Sequence, residues 1–259
     1  MYKLKKLGAA SLLLTLCYSP AFSQDSVEPW AIELGLSRST ASERSTWTQQ
    51  SLEVRHNDVM NGLMLLGKLE HYERFGLSDT SAALGFVKTL PDKSFTRLEL
   101  SLAPNANFRP QTSLDAEIGW VAKDAFGTKD TFVWSLQGRH AQYQSTQVSS
   151  VGVGYEYYPK SIKGWLSGRI NQSWAEGDNL GPSALIRADY QVNKTFRVYG
   201  LVARGFEPEG TNIVDVRGSA LGIVMALGAV VDVNLTIGRE ERDTGPARSD
   251  TTLSIVRRF

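Results

Sequence analysis

Hydrophobic residues recur at every second position over most of the chain after residue 28. The segment 30–37 is typical, because Trp30, Ile32, Leu34 and Leu36 alternate with small or polar residues. A period of two predicts β-strands with one apolar face, whereas an amphipathic helix repeats every 3.6 residues. The other face carries polar, charged or glycine residues. The sequence therefore predicts an all-β fold.

About fourteen strands are predicted, with twelve as the alternative count. They begin near residues 30, 46, 62, 79, 94, 112, 130, 147, 163, 182, 195, 213, 229 and 249. No linker rich in proline or serine interrupts this series, so we expect one domain. The charge-free run Gly218–Val231 resembles a buried helix, but Gly222 and Gly228 favour two strands joined by a tight turn.

Alternation is compatible with a soluble sandwich and with a membrane barrel, and the connections favour the barrel. Links from odd to even strands look long and polar, at 39–45, 104–110, 174–182, 206–212 and 239–249. Links from even to odd strands look like tight turns, at 57–62, 91–94, 193–194 and 227–228. Long extracellular loops and short periplasmic turns are typical of outer-membrane barrels. We therefore predict a transmembrane antiparallel up-and-down β-barrel.

Aromatic residues gather near both ends of the predicted strands, as in the interfacial girdles of membrane barrels. Those near the tight turns are Trp30, Phe95, Trp120, Phe132, Tyr157, Trp165, Tyr190 and Phe196. Those near the loops are Trp47, Tyr72, Phe75, Phe108, Tyr143, Trp174 and Phe206. In the last strand, Leu253, Ile255 and Phe259 share one face. We expect these three residues to be the signal presented to the barrel-insertion machinery.

The first 23 residues have the pattern of a secretory signal peptide. A basic region with Lys3, Lys5 and Lys6 precedes an apolar segment at 7–16 and a small-residue cleavage site at 21–23. We expect residues 24–259 to form the barrel. They carry 25 basic and 27 acidic residues and no cysteine, because the lone Cys17 leaves with the signal. This composition excludes disulfides and cysteine-bound metals and argues against nucleic acid as a partner.

Several segments resemble the YaiO-type outer-membrane β-barrel family. Residues 73–76 (Glu-Arg-Phe-Gly), followed by 78–80 (Ser-Asp-Thr), look like the Arg-Phe-Gly segment of that family. Residues 100–110 look like its characteristic loop with two prolines. Segments 136–143, 151–159, 165–169 and 186–190 continue the similarity. The resemblance implies an outer-membrane location in a Gram-negative bacterium and hints at a role with cell-surface polysaccharide.

Charged residues at inward positions are the candidate functional site. The candidates for lining the lumen are Arg97, Glu99, Asp115, Glu117, Arg139, Glu156, Arg169, Arg187 and Asp189. A hairpin folded about the 104–110 loop places Arg97 opposite Glu117 and Glu99 opposite Asp115. Two facing carboxylates need a nearby cation, and Arg139 on the next strand is the candidate. These charges predict a conduit for saccharides or small hydrophilic solutes, with pairing that merely stiffens the barrel as the alternative.

Two other functions stay open at the level of sequence. A surface scaffold or adhesin would use the predicted loops at 174–182, 206–213 and 239–249. A lipid hydrolase would use His71 or His140, with Ser149, Ser150 or Asp79 in reach. The sequence shows no catalytic signature, metal-ligand spacing or phosphate-binding loop, so no cofactor is expected. Expected partners are outer-membrane lipid, lipopolysaccharide, the insertion machinery and a saccharide ligand.

Overall fold

The structure is a computed structural model that describes residues 28–41, 44–74, 76–123, 130–209, 212–243 and 246–259. The predicted signal peptide, residues 1–23, lies outside these described residues. The described residues form fourteen antiparallel strands that close into a single barrel. Within them, no helix is long and apolar enough to cross a membrane.

The fourteen strands begin within four residues of the predicted positions. The first seven are β1 (Trp30–Ala41), β2 (Arg44–Asp58), β3 (Leu63–Arg74), β4 (Leu77–Thr89), β5 (Phe95–Leu102), β6 (Thr112–Lys123) and β7 (Thr131–Gln142). The remaining seven are β8 (Gln147–Tyr158), β9 (Gly164–Ala175), β10 (Asp178–Gln191), β11 (Phe196–Glu209), β12 (Asn212–Leu227), β13 (Val231–Arg242) and β14 (Arg248–Arg258). The charge-free run is therefore strand and turn, as predicted.

Each strand pairs with its neighbours in sequence, and β1 pairs with β14 to close the barrel. The closing register runs from Ala31 opposite Arg258 to Ala41 opposite Arg248. Closure leaves no sheet edge with unpaired backbone groups, which is the condition for crossing a bilayer with strands. The sandwich alternative is therefore wrong.

The apolar face of the strands points outward. Leu34, Leu84 and Leu221 are 57%, 73% and 69% exposed, although a soluble protein would bury such side chains. The inward positions carry charged and small polar residues, several of them buried, among them Glu53 and Asp189. The polar residues therefore form the inside of the molecule, and the apolar residues form a wall for lipid.

Short turns join the even strands to the odd strands at the four predicted places, near residues 57–62, 91–94, 193–194 and 227–228. In the β4–β5 turn, the side chain and backbone N–H of Ser94 donate to Asp92 Oδ1 over 2.6 and 3.0 Å. These hydrogen bonds hold the pKa of the Asp92 carboxyl below its ordinary value. In the β10–β11 turn, Thr195 N donates in the same way to Asn193 Oδ1 over 2.9 Å. Asp and Asn favour such turns because they accept from backbone two residues on.

Most of the long loops predicted on the opposite end are wrong. Strands β9 and β10 are joined only by Glu176 and Gly177, whose φ angles of 51° and 95° make a tight turn. Strand β1 extends to Ala41, and β13 extends through Arg242. The 104–110 prediction is confirmed as a substantial connection, and parts of the predicted loops at 39–45, 206–212 and 239–249 lie outside the described residues. The strands continue beyond the apolar belt. Their ends there are polar on both faces, so the sequence pattern predicts loops at positions where the backbone is still paired.

The predicted girdle of aromatic residues is confirmed in part at each end of the barrel. At the turn end, Phe95 and Trp165 are the exceptions, because they share the inward faces of Arg97 and Arg169. Trp30, Trp120 and Tyr190 at the turn end are all about half exposed on the outer wall. At the loop end, Trp47 and Tyr72 lie inside the barrel and are buried. The predicted girdle residue Phe75 lies outside the described residues. The predicted insertion residues Leu253, Ile255 and Phe259 are exposed, and their role in insertion stays a prediction.

Candidate functional site

Three ion pairs cover the lumen wall built by β5 to β9. Arg97 contacts Glu99 at 2.8 Å, Arg169 contacts Glu117 at 3.3 Å, and Arg139 contacts Asp115 at 3.7 Å. The register places Arg97 opposite Glu117 and Glu99 opposite Asp115, and Asp115 in turn lies opposite Arg139. This is the predicted register, with the predicted cation beside the facing carboxylates. We call these six residues the lumen ladder.

The lumen ladder is accessible to water. The Arg139 and Asp115 side chains keep 35% and 34% of their surface exposed, and Arg97 and Arg169 keep 26% and 27%. Water and salt screen the Arg139–Asp115 pair, so it contributes little to stability. Glu99 and Glu117 keep only 21% and 14% of their side-chain surface, so the other two pairs are partly buried in the wall. The ladder therefore offers water a charged surface that is most exposed at Arg139 and Asp115.

The other three predicted residues lie in a buried group near the turn end. Arg187 donates to both carboxylate oxygens of Asp189 over 2.6 and 2.9 Å, and Arg197 lies 3.8 Å from the same carboxylate. The guanidinium of Arg187 also stacks 4.0 Å from the centre of the Tyr199 ring. Glu156 accepts a hydrogen bond from Tyr158. The Asp189 side chain has no exposed surface. This buried group therefore stiffens the wall and has few polar atoms that a solute in the lumen could contact.

The connection between β5 and β6, residues 103–111, folds back into the loop end of the barrel. We call it the inserted loop. Its Ala103, Ala106 and Phe108 side chains are almost completely buried. Asn105 adopts a left-handed conformation with φ 62°, which asparagine tolerates better than most residues. The loop therefore narrows the lumen from one side.

Asp79 of β4 holds the inserted loop in place. Its carboxylate accepts the backbone N–H groups of Asn107, Phe108 and Arg109 over 2.7, 2.9 and 2.8 Å. The Asn107 side-chain amide donates to it over 2.9 Å. Asp79 is 4% exposed, so these charge-assisted hydrogen bonds replace water around a buried charge. The sequence offered Asp79 only as a neighbour for a catalytic histidine, and the structure assigns it to the loop instead.

Arg109 extends from the inserted loop into the lumen. Its guanidinium lies 4.2 Å from the centre of the Tyr72 ring and 3.4 Å from a carboxylate oxygen of Glu70. Lys68 contacts the same carboxylate at 2.7 Å. The loop is thus fixed by its backbone at Asp79 of β4 and by the Arg109 side chain at Glu70 and Tyr72 of β3.

A second group of arginines surrounds Trp47 at the same end of the barrel. The guanidinium carbons of Arg74 and Arg248 lie 3.8 and 2.9 Å from the centre of the indole ring. Arg242 pairs with the buried Glu240 at 2.7 Å. Arg74 also faces Phe108 of the inserted loop at 5.4 Å. This cluster and the inserted loop together form a constriction.

The sequence reasoning missed the constriction. The aromatic pattern predicts Trp47 in the outer girdle, whereas its indole lies inside the barrel among the arginines. One signal was present, because the two segments that resemble the family, 73–80 and 100–110, contain Arg74, Asp79 and the inserted loop. The structure shows that these separate segments pack against each other.

Both candidate histidines of a lipid hydrolase lie on the outer wall. His140 Nδ1 is 2.9 Å from the Ser149 hydroxyl, and His71 Nδ1 is 2.9 Å from the Thr80 hydroxyl. Glu73 lies 3.9 Å from His71. Across the described residues, no group of three or more His, Cys, Asp or Glu side chains is arranged to hold a metal ion.

Comparison with known proteins identifies the kind of barrel. A family model, the YaiO membrane beta barrel domain, matches residues 31–209. No curated protein matches the chain. The fold and the family match together place the chain in the outer membrane.

Solved structures share the fold at low sequence identity. The Acinetobacter baumannii outer membrane protein Omp33 superposes with a TM-score of 0.56 and 9% identity, covering 90% of this chain and 98% of its own. An outer membrane channel from Pseudomonas putida gives 0.53 and 13%, covering 93% and 99%. Pseudomonas aeruginosa OpdQ gives 0.52 and 8%, covering 91% and 99%. At these identities the likeness concerns the fold alone.

Proposed function

Because the chain belongs to the YaiO membrane β-barrel family, we propose that it is an outer-membrane conduit for small hydrophilic solutes, with saccharides as the preferred class. The barrel resembles those of porins and channels. The observation that carries the proposal is the hydrated lumen ladder on β5 to β9. A path lined by paired, water-exposed charges suits neutral, hydroxyl-rich solutes better than apolar ones.

The constriction supports selection by size. The inserted loop and the arginines around Trp47 occupy the loop end above β2 to β4, β13 and β14, and the lumen ladder lies on the opposite wall. A solute would pass along the ladder wall and beside the loop. Barrels of eight strands are filled by side chains, whereas those of sixteen or more enclose open channels. A barrel of fourteen strands needs only a local constriction to limit passage to small solutes.

Planar-bilayer recording of the purified barrel tests the proposal. We expect discrete conductance steps that a permeant saccharide reduces while it occupies the lumen. An intact barrel that never conducts would overturn the proposal. Migration on gels before and after heating verifies that the barrel is folded.

Charge selectivity tests whether the lumen ladder lines the path. Replacing Arg97, Arg139 and Arg169 with glutamine leaves their carboxylates unbalanced, so we expect the selectivity to shift towards cations. Arg187 is omitted because it is buried against Asp189. The matched control removes the same charge outside the barrel, by replacing Arg204, Arg217 and Arg239. If both triple variants shift the reversal potential equally, the ladder does not line the path.

Lipid hydrolysis is the second candidate, because the His140–Ser149 pair lies on the lipid-facing wall at hydrogen-bond distance. A general base needs such a distance from its nucleophile. Replacing His140 with alanine is expected to abolish any release of fatty acid from outer-leaflet lipid. Unchanged release would remove this candidate, and the His71→Ala variant is the parallel control.

A further inference from the structure

Three arginines lie side by side on the outer wall near the loop end. Arg204 of β11, Arg217 of β12 and Arg239 of β13 occupy outward positions, in step with the exposed Val202, Leu221 and Ile237. Their side chains are 58%, 65% and 65% exposed. We call Arg204, Arg217 and Arg239 the outer arginine patch.

The acids beside the outer arginine patch leave most of its donors free for a ligand. Arg204 contacts Asp215 at 2.6 Å, and Arg217 approaches the other oxygen of the same carboxylate to 3.6 Å. Arg239 contacts Glu241 at 3.1 Å. Each guanidinium carries five N–H donors, and these contacts use few of them. The patch therefore keeps a net positive charge and donors directed away from the barrel.

The register places acids as well as cations inside the patch. Arg204 and Arg217 lie directly opposite each other on neighbouring strands, and like charges in such positions repel. Asp215 pairs with both of them, and Glu241 lies directly opposite Arg217 on β13. The two carboxylates balance two of the three cations, so one positive charge remains for an external phosphate group.

The patch is confined to one side of the barrel. On β6 to β9, the outward residues near the loop end are Leu114, His140, Ser149 and Gln172, which carry no permanent charge. The patch therefore marks a particular surface and is not part of a uniform charged collar.

The patch begins where the apolar belt ends. Val202 and Ile237, two residues towards the turn end from Arg204 and Arg239, are 55% and 61% exposed on the same face. In an outer-membrane barrel the loop end is extracellular, so the patch lies at the headgroup level of the outer leaflet. The lipid of that leaflet carries phosphates, and arginine forms bidentate, charge-assisted hydrogen bonds with phosphate.

We propose that the outer arginine patch binds the phosphate groups of lipopolysaccharide and fixes one lipid molecule against β11 to β13. This surface is separate from the lumen, so the proposal does not depend on solute passage. The acyl chains of the bound lipid would lie along the exposed Val202, Leu221 and Ile237. The phosphates would contact the guanidinium groups above them.

Binding of purified lipid A to the folded barrel in detergent tests the proposal. The probes are bisphosphorylated lipid A, monophosphorylated lipid A, phosphatidylglycerol and inorganic phosphate, titrated against labelled protein. We expect the bisphosphorylated form to bind most tightly and millimolar inorganic phosphate to displace it only weakly. Replacing all three patch arginines with glutamine is expected to weaken lipid A binding on the order of 100-fold, at about fivefold for each cation near an anionic surface.

The variant with Arg97, Arg139 and Arg169 replaced is the matched control, because it loses the same charge inside the lumen. It is expected to bind lipid A like the parent protein. The proposal is overturned if the patch variant binds unchanged, or if the control loses affinity equally. It is also overturned if phosphatidylglycerol or inorganic phosphate competes as well as lipid A, since the patch would then bind any anion. Gel migration before and after heating confirms that both variants are folded.

Discussion

Asp79 does for a loop what a capping side chain does for a helix. One carboxylate accepts three successive backbone N–H groups, at residues 107, 108 and 109. The hydrophobic pattern does not predict that Asp79 binds the loop backbone, because an aspartate at an inward position looks like any other charge in the lumen. The partners of the Asp79 carboxylate are backbone N–H groups, which are present whatever the side chains of the loop, so the loop sequence gives no signal of the contact. A single side chain therefore supplies three of the hydrogen bonds that hold the inserted loop.

Removing the Asp79 carboxylate is expected to release the inserted loop. The Asp79→Ala variant loses charge-assisted hydrogen bonds worth roughly 1.5–3 kcal/mol each, while the strands keep their pairing. Phe108, which is 2% exposed, should become a new site of chymotrypsin cleavage, and the bilayer conductance should rise.

The matched control for this prediction is Asp92→Ala, which removes a carboxylate from a turn at the other end of the barrel. It should change neither cleavage nor conductance. Asp79→Asn, which keeps one carbonyl acceptor, should lie between the parent and Asp79→Ala. Equal protection of Phe108 in parent and Asp79→Ala would show that the loop is held by its side chains alone.

At the scale of the strands, much of the barrel is predictable from the sequence. The alternation fixes which residues face lipid, and the hairpin between β5 and β6 has the predicted register, with Arg97 opposite Glu117. Loop lengths are less predictable. Beyond the apolar belt both faces of a strand meet water or headgroups, so alternation fades while backbone pairing continues, as in β10 from Asp178 onwards.

The constriction is not predictable by the same reasoning. Its residues belong to β2, β3, β4, β13, β14 and the inserted loop, and their contacts depend on barrel closure rather than on neighbouring sequence. Trp47 illustrates the point. Its inward position follows from the alternation, because it shares a face of β2 with the buried Glu53, but the arginines around it come from β3, β13 and β14.

Aromatic–glycine pairs between neighbouring strands are a further feature of the strands. The rings of Phe95, Tyr155 and Tyr199 each lie over the glycine directly opposite, which is Gly119, Gly168 and Gly222 respectively. A glycine is required there, because a methyl group would overlap the ring. In such pairs the aromatic ring covers the backbone of the glycine, which has no side chain of its own, and the glycine fixes the orientation of the ring.

The Gly222→Ala variant tests this requirement. The new methyl group would displace the Tyr199 ring, which stacks on Arg187 at 4.0 Å and donates to Asn234 over 3.1 Å. We expect the free energy of unfolding to fall by roughly 1–3 kcal/mol, measured by urea titration in lipid vesicles. Gly138→Ala is the control, since the nearest atom to its methyl group would be the Ser150 carbonyl oxygen at 4.0 Å. A loss as large for Gly138→Ala would reject the steric explanation.

At the scale of the whole molecule, closure of the barrel is what gives the inward charges a function. In an open sheet the polar face would be a solvated surface. Closure turns that face into a lumen, brings β2 and β3 beside β13 and β14, and so assembles the arginines around Trp47. The seam between β1 and β14 is therefore the contact on which the conduit depends.

A disulfide across this seam tests closure directly. Ser37 of β1 lies opposite Thr252 of β14, and their hydroxyl oxygens are 2.7 Å apart. Directly opposed side chains at this distance satisfy the geometry of a disulfide. With the lone Cys17 replaced by serine, the Ser37→Cys, Thr252→Cys variant should form a crosslink on oxidation. The crosslink should change migration after boiling and disappear with reductant.

The control pairs Ser37→Cys with Ser254→Cys, which moves the second cysteine two residues along the same face of β14. Diagonal positions on neighbouring strands are roughly 7–8 Å apart, beyond the reach of a disulfide without backbone movement. This variant should stay reduced under the same conditions. Equal crosslinking in both variants would mean that the seam slides, and a sliding seam could not hold the constriction at a fixed width.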